Sequence, residues 1–158
     1  MVEPLSARVA SLGWHVQFNI DAEQIVERAA LLRRLPSAIV FDHMGNPRSS
    51  GVTHPSHRIM RELLDRGRAW VKLSGAYMNS RTGAPYADVT PIARALVAAA
   101  PERLVWGSDW THPTEMPQQK PNDAQLFDLL TDWVPDARVR QAILVSNPEA
   151  LYGFNATD

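Results

Sequence analysis

The 158-residue chain carries 16 Lys and Arg against 17 Asp and Glu, a formal net charge of −1, with 45% hydrophobic and 21% charged residues. That balance, with no long basic run, argues against a nucleic-acid binder of the usual electrostatic kind, and the composition is that of a globular core rather than a disordered chain. The absence of cysteine removes disulfides, thiolate metal sites and cysteine nucleophiles together.

From Pro4 to Leu12, the residues Leu5, Val9 and Leu12 recur at helical spacing, and Gly13 is a natural stop. His15 to Ile20 alternates and is rich in strand formers, after which Asp21 offers an N-cap to a helix from Ala22 through Leu35, ended by Pro36. Ala38-Ile39-Val40-Phe41 is a continuous apolar run of the kind buried on both faces, and it delivers Asp42-His43-Met44-Gly45-Asn46-Pro47 into a loop. His54-Pro55 opens a helix through Ile59, Leu63 and Leu64 to Gly67. Ala69 to Leu73 reads as the next strand, Ala76 to Pro85 as a polar loop, and Tyr86 to Ala100 as a helix with Pro91 in its first turn. Arg103 to Trp106 is the fourth strand, ending in Gly107-Ser108-Asp109-Trp110. Beyond a proline-rich loop, helices are expected from about Asn122 to Trp133 and from Asp136 to Val145, then a final turn over Asn147 to Phe154. Strands alternating with helices imply an α/β fold with a parallel sheet. No glycine-rich phosphate loop follows any strand, which disfavours a nucleotide-binding unit.

In parallel α/β folds the active site gathers at the carboxyl ends of the strands. The polar residues collect there: Asn19 after the first strand, His43 after the second, Ser74 and Tyr77 after the third, and Asp109 after the fourth, with His112 three residues on. A carboxylate in that position can take a proton from water, and an imidazole beside it can polarise a carbonyl or bind a metal. A plainer alternative stays open, in which Asp42-His43 and Ser108-Asp109 only cap the helices that follow. His54 and His57, at a helix start, are expected at the surface, and His15 is either a structural histidine or a substrate contact. Without an HxH or HExxH pattern, no self-sufficient zinc centre is expected.

Five segments in order, GWHVQFN (13–19), IVFDHMGNP (39–47), WVKLSGAY (70–77), ERLVWGSDWTHP (102–113) and NPEALYGF (147–154), resemble the amidohydrolase-related family that includes 2-pyrone-4,6-dicarboxylate lactonases. The resemblance implies a partial (β/α)8 TIM barrel: residues 1–158 as one domain, supplying the last four βα units plus C-terminal helices. It implies a hydrolase in which Asp109 is the general base and His43 positions or polarises the carbonyl of a lactone or ester. The substrate would be a small carboxylated molecule of the aromatic-catabolism type, bound by Asn19, Tyr77, Arg81 and His112. No resident cofactor is implied; zinc or manganese would enter only a composite site. Two departures stand out: Met78 occupies the place of an arginine expected to bind a substrate carboxylate, leaving Arg81 as the nearest substitute, and Asn19 stands where an aromatic hydroxyl is expected.

A complete barrel takes about 250 residues, and an open four-stranded sheet exposes two edges and an apolar wall. The expected partners are therefore a small-molecule substrate and either a second copy of the chain or a complementing N-terminal half, with no nucleic acid. No apolar run approaches the ~18 residues of a spanning helix and the opening residues lack a signal-like pattern, so no membrane role and a cytoplasmic location are expected. The alternative is a non-catalytic α/β module that holds a small carboxylate through Arg81, His43 and His112, or binds a partner chain.

Overall fold

The computed structural model describes residues 1–48 and 51–154. Its centre is one four-stranded sheet in the order β1-β2-β3-β4, formed by β1 (His15–Phe18), β2 (Ala38–Phe41), β3 (Ala69–Leu73) and β4 (Leu104–Trp106). All three pairings are parallel, with Phe18 opposite Phe41, Phe41 opposite Val71, and Leu73 opposite Trp106. Parallel neighbours need a crossover long enough to return the chain to the same end of the sheet. Each gap holds helices: α2 (Ala22–Glu27) and α3 (Ala29–Arg34), then α4 (Pro55–Asp65), then α5 (Ala76–Asn79) and α6 (Thr90–Ala99). α1 (Val2–Ala10) precedes the sheet, while α7 (Asp123–Trp133), α8 (Ala137–Gln141) and α9 (Asn147–Tyr152) follow it. Among the described residues, no helix is long and apolar enough to cross a membrane.

Strand alternation divides the apolar residues between two faces. Ile39, Phe41, Val71, Leu73 and Leu104 join Ile25, Leu32, Met60, Leu63, Leu96 and Leu130 in one large buried cluster with the helices. Val40, Trp70 and Val105 form a much smaller cluster, covered by Leu151 of α9. Asn147 sets the position of α9, because its buried side-chain amide donates to the carbonyls of Pro101 and Leu104 at 2.8 and 2.7 Å. Gly45, at φ +74, permits the close approach of α2 to α4, since a Cβ there would lie 2.6 Å from Met60 Sδ and 2.9 Å from Ile25 Cδ1.

Three expected elements differ in detail. The helix from Ala22 is interrupted at Arg28 (φ −98, ψ 8), whose amide closes α2 on Gln24 and whose carbonyl accepts from Leu32 to open α3. The Asp21–Gln24 capping box fixes the entry of α2, and the turn lets α3 bury Leu32 on its own axis. The loop expected from Ala76 begins as α5, anchored by Asn79 Nδ2 donating back to the Gly75 carbonyl at 3.1 Å. The next helix starts at Thr90 rather than Tyr86, because Tyr86 adopts φ +59; Pro91 does lie in the first turn. At the end of the chain, α8 widens through a π turn over Ala142–Ser146 and runs directly into α9.

Candidate active site

At the carboxyl ends of the strands lies a cleft of about 420 Å³, lined by Gln17 of β1, Asp42 and His43 after β2, Lys72 and Ser74 of β3 and its end, Trp106 through Trp110 after β4, and Tyr152 of α9. A larger recess of about 550 Å³ beside Trp14 and His15 is lined by no carboxylate. The chemistry therefore concentrates in the smaller one.

His43 follows β2 in a left-handed turn (φ 49, ψ 42), which swings its ring from the strand into the cleft. Its carbonyl accepts from Asn79 Nδ2 at 3.0 Å, its Nδ1 lies 2.9 Å from Ser74 Oγ, and its Nε2 lies 3.8 Å from Asp109 Oδ2. Gly75, at φ +63, makes room for the ring, since a Cβ there would stand 2.7 Å from His43 Nδ1. Asp109 is likewise left-handed (φ 62). The side chain of His43 is 7% exposed and that of Asp109 22%, so the imidazole is held inside the protein while the carboxylate reaches solvent. Neither Asp42 nor Asp109 caps a helix through its side chain. Asp42 instead accepts from Gln17 Nε2 at 2.7 Å and pairs with Lys72 Nζ at 3.0 Å, a neutralised charge cluster beside His43 and Asp109.

Of the expected substrate contacts, the fold brings Tyr77 and His112 to Asp109. Tyr77 donates its hydroxyl to Asp109 Oδ2 at 2.7 Å, and burial followed by that hydrogen bond pushes its phenol well above the ordinary range. His112 is buried, lies edge-on to Tyr77 with ring centroids 5.2 Å apart, and places Nε2 3.1 Å from Asp123 Oδ1. Its Nδ1 is buried and finds no hydrogen-bond partner among the described residues. None of the four expected substrate contacts lines the cleft itself: Tyr77 and His112 stand behind Asp109, Asn19 Oδ1 accepts from Asn46 Nδ2 at 2.8 Å, and Arg81 is exposed on the loop after α5. His54 and His57, expected at the surface, are half-buried; His54 caps α4 through Nδ1, and His57 Nε2 is enclosed. His15 packs edge-on against Tyr152 at 5.5 Å.

The Gln17–Asp42–Lys72 cluster and Tyr152 were not singled out by the sequence reading. Lys72 carried a usable signal, a charged residue inside an apolar strand on the same face as Trp70. Among the described residues, no three His, Asp or Glu side chains converge as a metal centre requires. What the described residues bring together is a carboxylate beside an imidazole in an open cleft.

Comparison with known proteins shows what the chain is similar to. A family model described as Amidohydrolase matches residues 1–154. A D-galactarolactone isomerase of Agrobacterium fabrum (strain C58 / ATCC 33970) is 36% identical over 156 residues, covering 96% of this chain and 52% of the relative. A 2-pyrone-4,6-dicarboxylate hydrolase of Comamonas testosteroni is 34% identical over 158 residues, covering 94% and 52%. An apo crystal structure of an Agrobacterium tumefaciens protein matches with a TM-score of 0.88 at 35% identity, over 96% of this chain and 54% of that one. The chain thus spans about half the length of the relatives it matches. Because the family match runs through all four strand ends and the terminal helix that faces them, the chain belongs to the amidohydrolase family.

Proposed function

We propose that this chain is the last four βα units and C-terminal helices of a (β/α)8 barrel hydrolase that opens a lactone, or cleaves an ester, of a small carboxylated substrate. The observation that carries the reading is the placement of Asp109 and His43 within 3.8 Å of each other across an open cleft at the strand ends. In this mechanism Ser74 donates to His43 Nδ1, so that Nε2 carries the ring proton and directs it at the carbonyl oxygen, where negative charge develops. Asp109 takes a proton from water as the water oxygen attacks the carbonyl carbon. The carbon–oxygen ester bond then breaks, and the proton held by Asp109 passes to the departing alkoxide, giving a hydroxy acid. Two relatives whose names denote a lactone and a pyrone support the substrate class.

The outer edges of β1 and β4 have no strand partner among the described residues. The working form is accordingly one in which a second copy or a complementing N-terminal half covers them, and zinc or manganese would enter only with donors from that half. One of the relatives is named an isomerase. Lactone migration is thus the second reading, and it differs in that the product keeps the substrate's mass.

The test combines light scattering with product mass spectrometry on the wild type and Asp109→Asn, with and without the complementing half. A product heavier by one water, formed by an assembly larger than one chain and lost in Asp109→Asn, is the expected result. Thermal stabilisation by carboxylates without turnover in any assembly would instead identify a binding module.

A further inference from the structure

We infer that Tyr77 is the positioning residue for Asp109, holding one carboxylate oxygen so that the other is left to receive the proton. This rests on the reading of Asp109 as the base. The geometry is a stack built from behind. Asp123 fixes His112 through Nε2 at 3.1 Å, the His112 ring backs Tyr77 at 5.2 Å and 87°, and the Tyr77 hydroxyl donates to Asp109 Oδ2 at 2.7 Å. Oδ2 is also the oxygen nearest His43, at 3.8 Å. The phenol thus occupies Oδ2 with a hydrogen bond, while Oδ1 has no hydrogen-bond partner among the described residues and is left for proton transfer. The arrangement needs Tyr77 as a donor, and its burial beside Asp109 keeps the phenol protonated.

The surroundings of Asp109 set the expected sign. Lys72 and Asp42 line the same cleft as an ion pair and largely offset each other, and Tyr152 enters it from α9. The charge of Glu115 also opposes ionisation of the Tyr77 phenol. Removing the donated hydrogen bond withdraws a stabiliser of the charged carboxylate and leaves those other charges in place.

Tyr77→Phe removes one oxygen. The readout is the pH titration of the Asp109 carboxyl carbon by NMR, assigned by its loss in Asp109→Asn and requiring no turnover. The expected result is a midpoint about one pH unit higher in Tyr77→Phe, as for loss of one hydrogen bond to a charged group. On a lactone substrate, the acid limb of kcat/KM moves in the same direction. Site-specific fluorotyrosine at position 77, an isosteric and stronger donor, lowers the midpoint and keeps the test open if Tyr77→Phe fails to fold. Midpoints that coincide across wild type and either folded variant would overturn the proposal, even if the lactone is turned over. Shifted midpoints with no turnover would uphold the positioning role while sinking the hydrolase reading.

Discussion

Residues distant in sequence supply what the cleft needs, and their legibility differed accordingly. His43 and Asp109 could be placed at the cleft from the chain because they follow the ends of apolar strands by two and three residues, with helix capping as the open alternative. The bond between Tyr77 and Asp109 could not, because it joins positions 32 apart that only the parallel register brings together. Arg81 is expected as a carboxylate binder only as the nearest substitute for the arginine whose place Met78 takes. Its loop is organised instead by Asp88, which accepts from Ser80 Oγ at 2.6 Å, the Arg81 amide at 2.7 Å and Thr82 Oγ1 at 2.9 Å. Those donors, the Ser80 hydroxyl first, hold the Asp88 carboxyl at about 2 against an ordinary 3.8. A carboxyl depressed in the folded state contributes order that is complete above its unfolded pKa and is lost as pH falls through the folded one. The 80–88 loop is therefore expected to loosen between about pH 4 and pH 2, seen as a falling protection factor of the Arg81 amide relative to its intrinsic exchange rate at each pH, with Asp88→Ala already loose at neutral pH.

At the scale of elements, the sheet was the most legible part of the fold. The boundaries of β2 and β3 coincide with the apolar runs Ala38 to Phe41 and Ala69 to Leu73, because strands buried on both faces leave continuous hydrophobic stretches. The helices were read too smoothly. The break at Arg28 falls at a residue with no glycine or proline beside it, whereas the start at Thr90 is marked by Pro91 and is read too early because the positive φ of Tyr86 leaves no trace in the sequence. The terminal helix depends on one polar anchor. Asn147→Ala leaves the Pro101 and Leu104 carbonyls without their donor, and is expected to cost about 1–3 kcal/mol in urea unfolding. Because Tyr152 of the same helix lines the cleft, the substitution should also weaken activity.

For the whole molecule, the unequal faces of the sheet matter most. The helix side is packed by the large cluster, whereas the other side has three buried strand residues under Leu151. Trp14, Tyr152 and Phe154 are exposed close to β1, with Trp14 65% and Phe154 63% accessible, and Trp14 and Tyr152 line the same recess. The unpaired edges of β1 and β4 and this thinly covered face are where the proposed second copy or complementing half would bind. In hydrogen exchange, the amides of β1 and β4 should exchange faster than those of β2 and β3 in dilute solution. They should slow on self-association or on addition of the complementing half; protection unchanged by either would remove the composite-barrel reading.

The left-handed backbone at positions 43 and 109 reaches beyond the geometry of the pair. Few residues other than glycine sit comfortably at such angles, and aspartate, asparagine and histidine are prominent among them. The backbone thus restricts the chemical alphabet at the two positions before substrate is considered. Asparagine is a conformationally mild replacement at 109, so a loss of activity in Asp109→Asn would read as chemistry rather than misfolding. Glutamate, lysine or a β-branched residue would have to work against the turn as well as the reaction. An engineer seeking a different reaction in this cleft would find more freedom at Lys72 and Ser74, whose backbone is not held in that conformation, than at the two residues that define it.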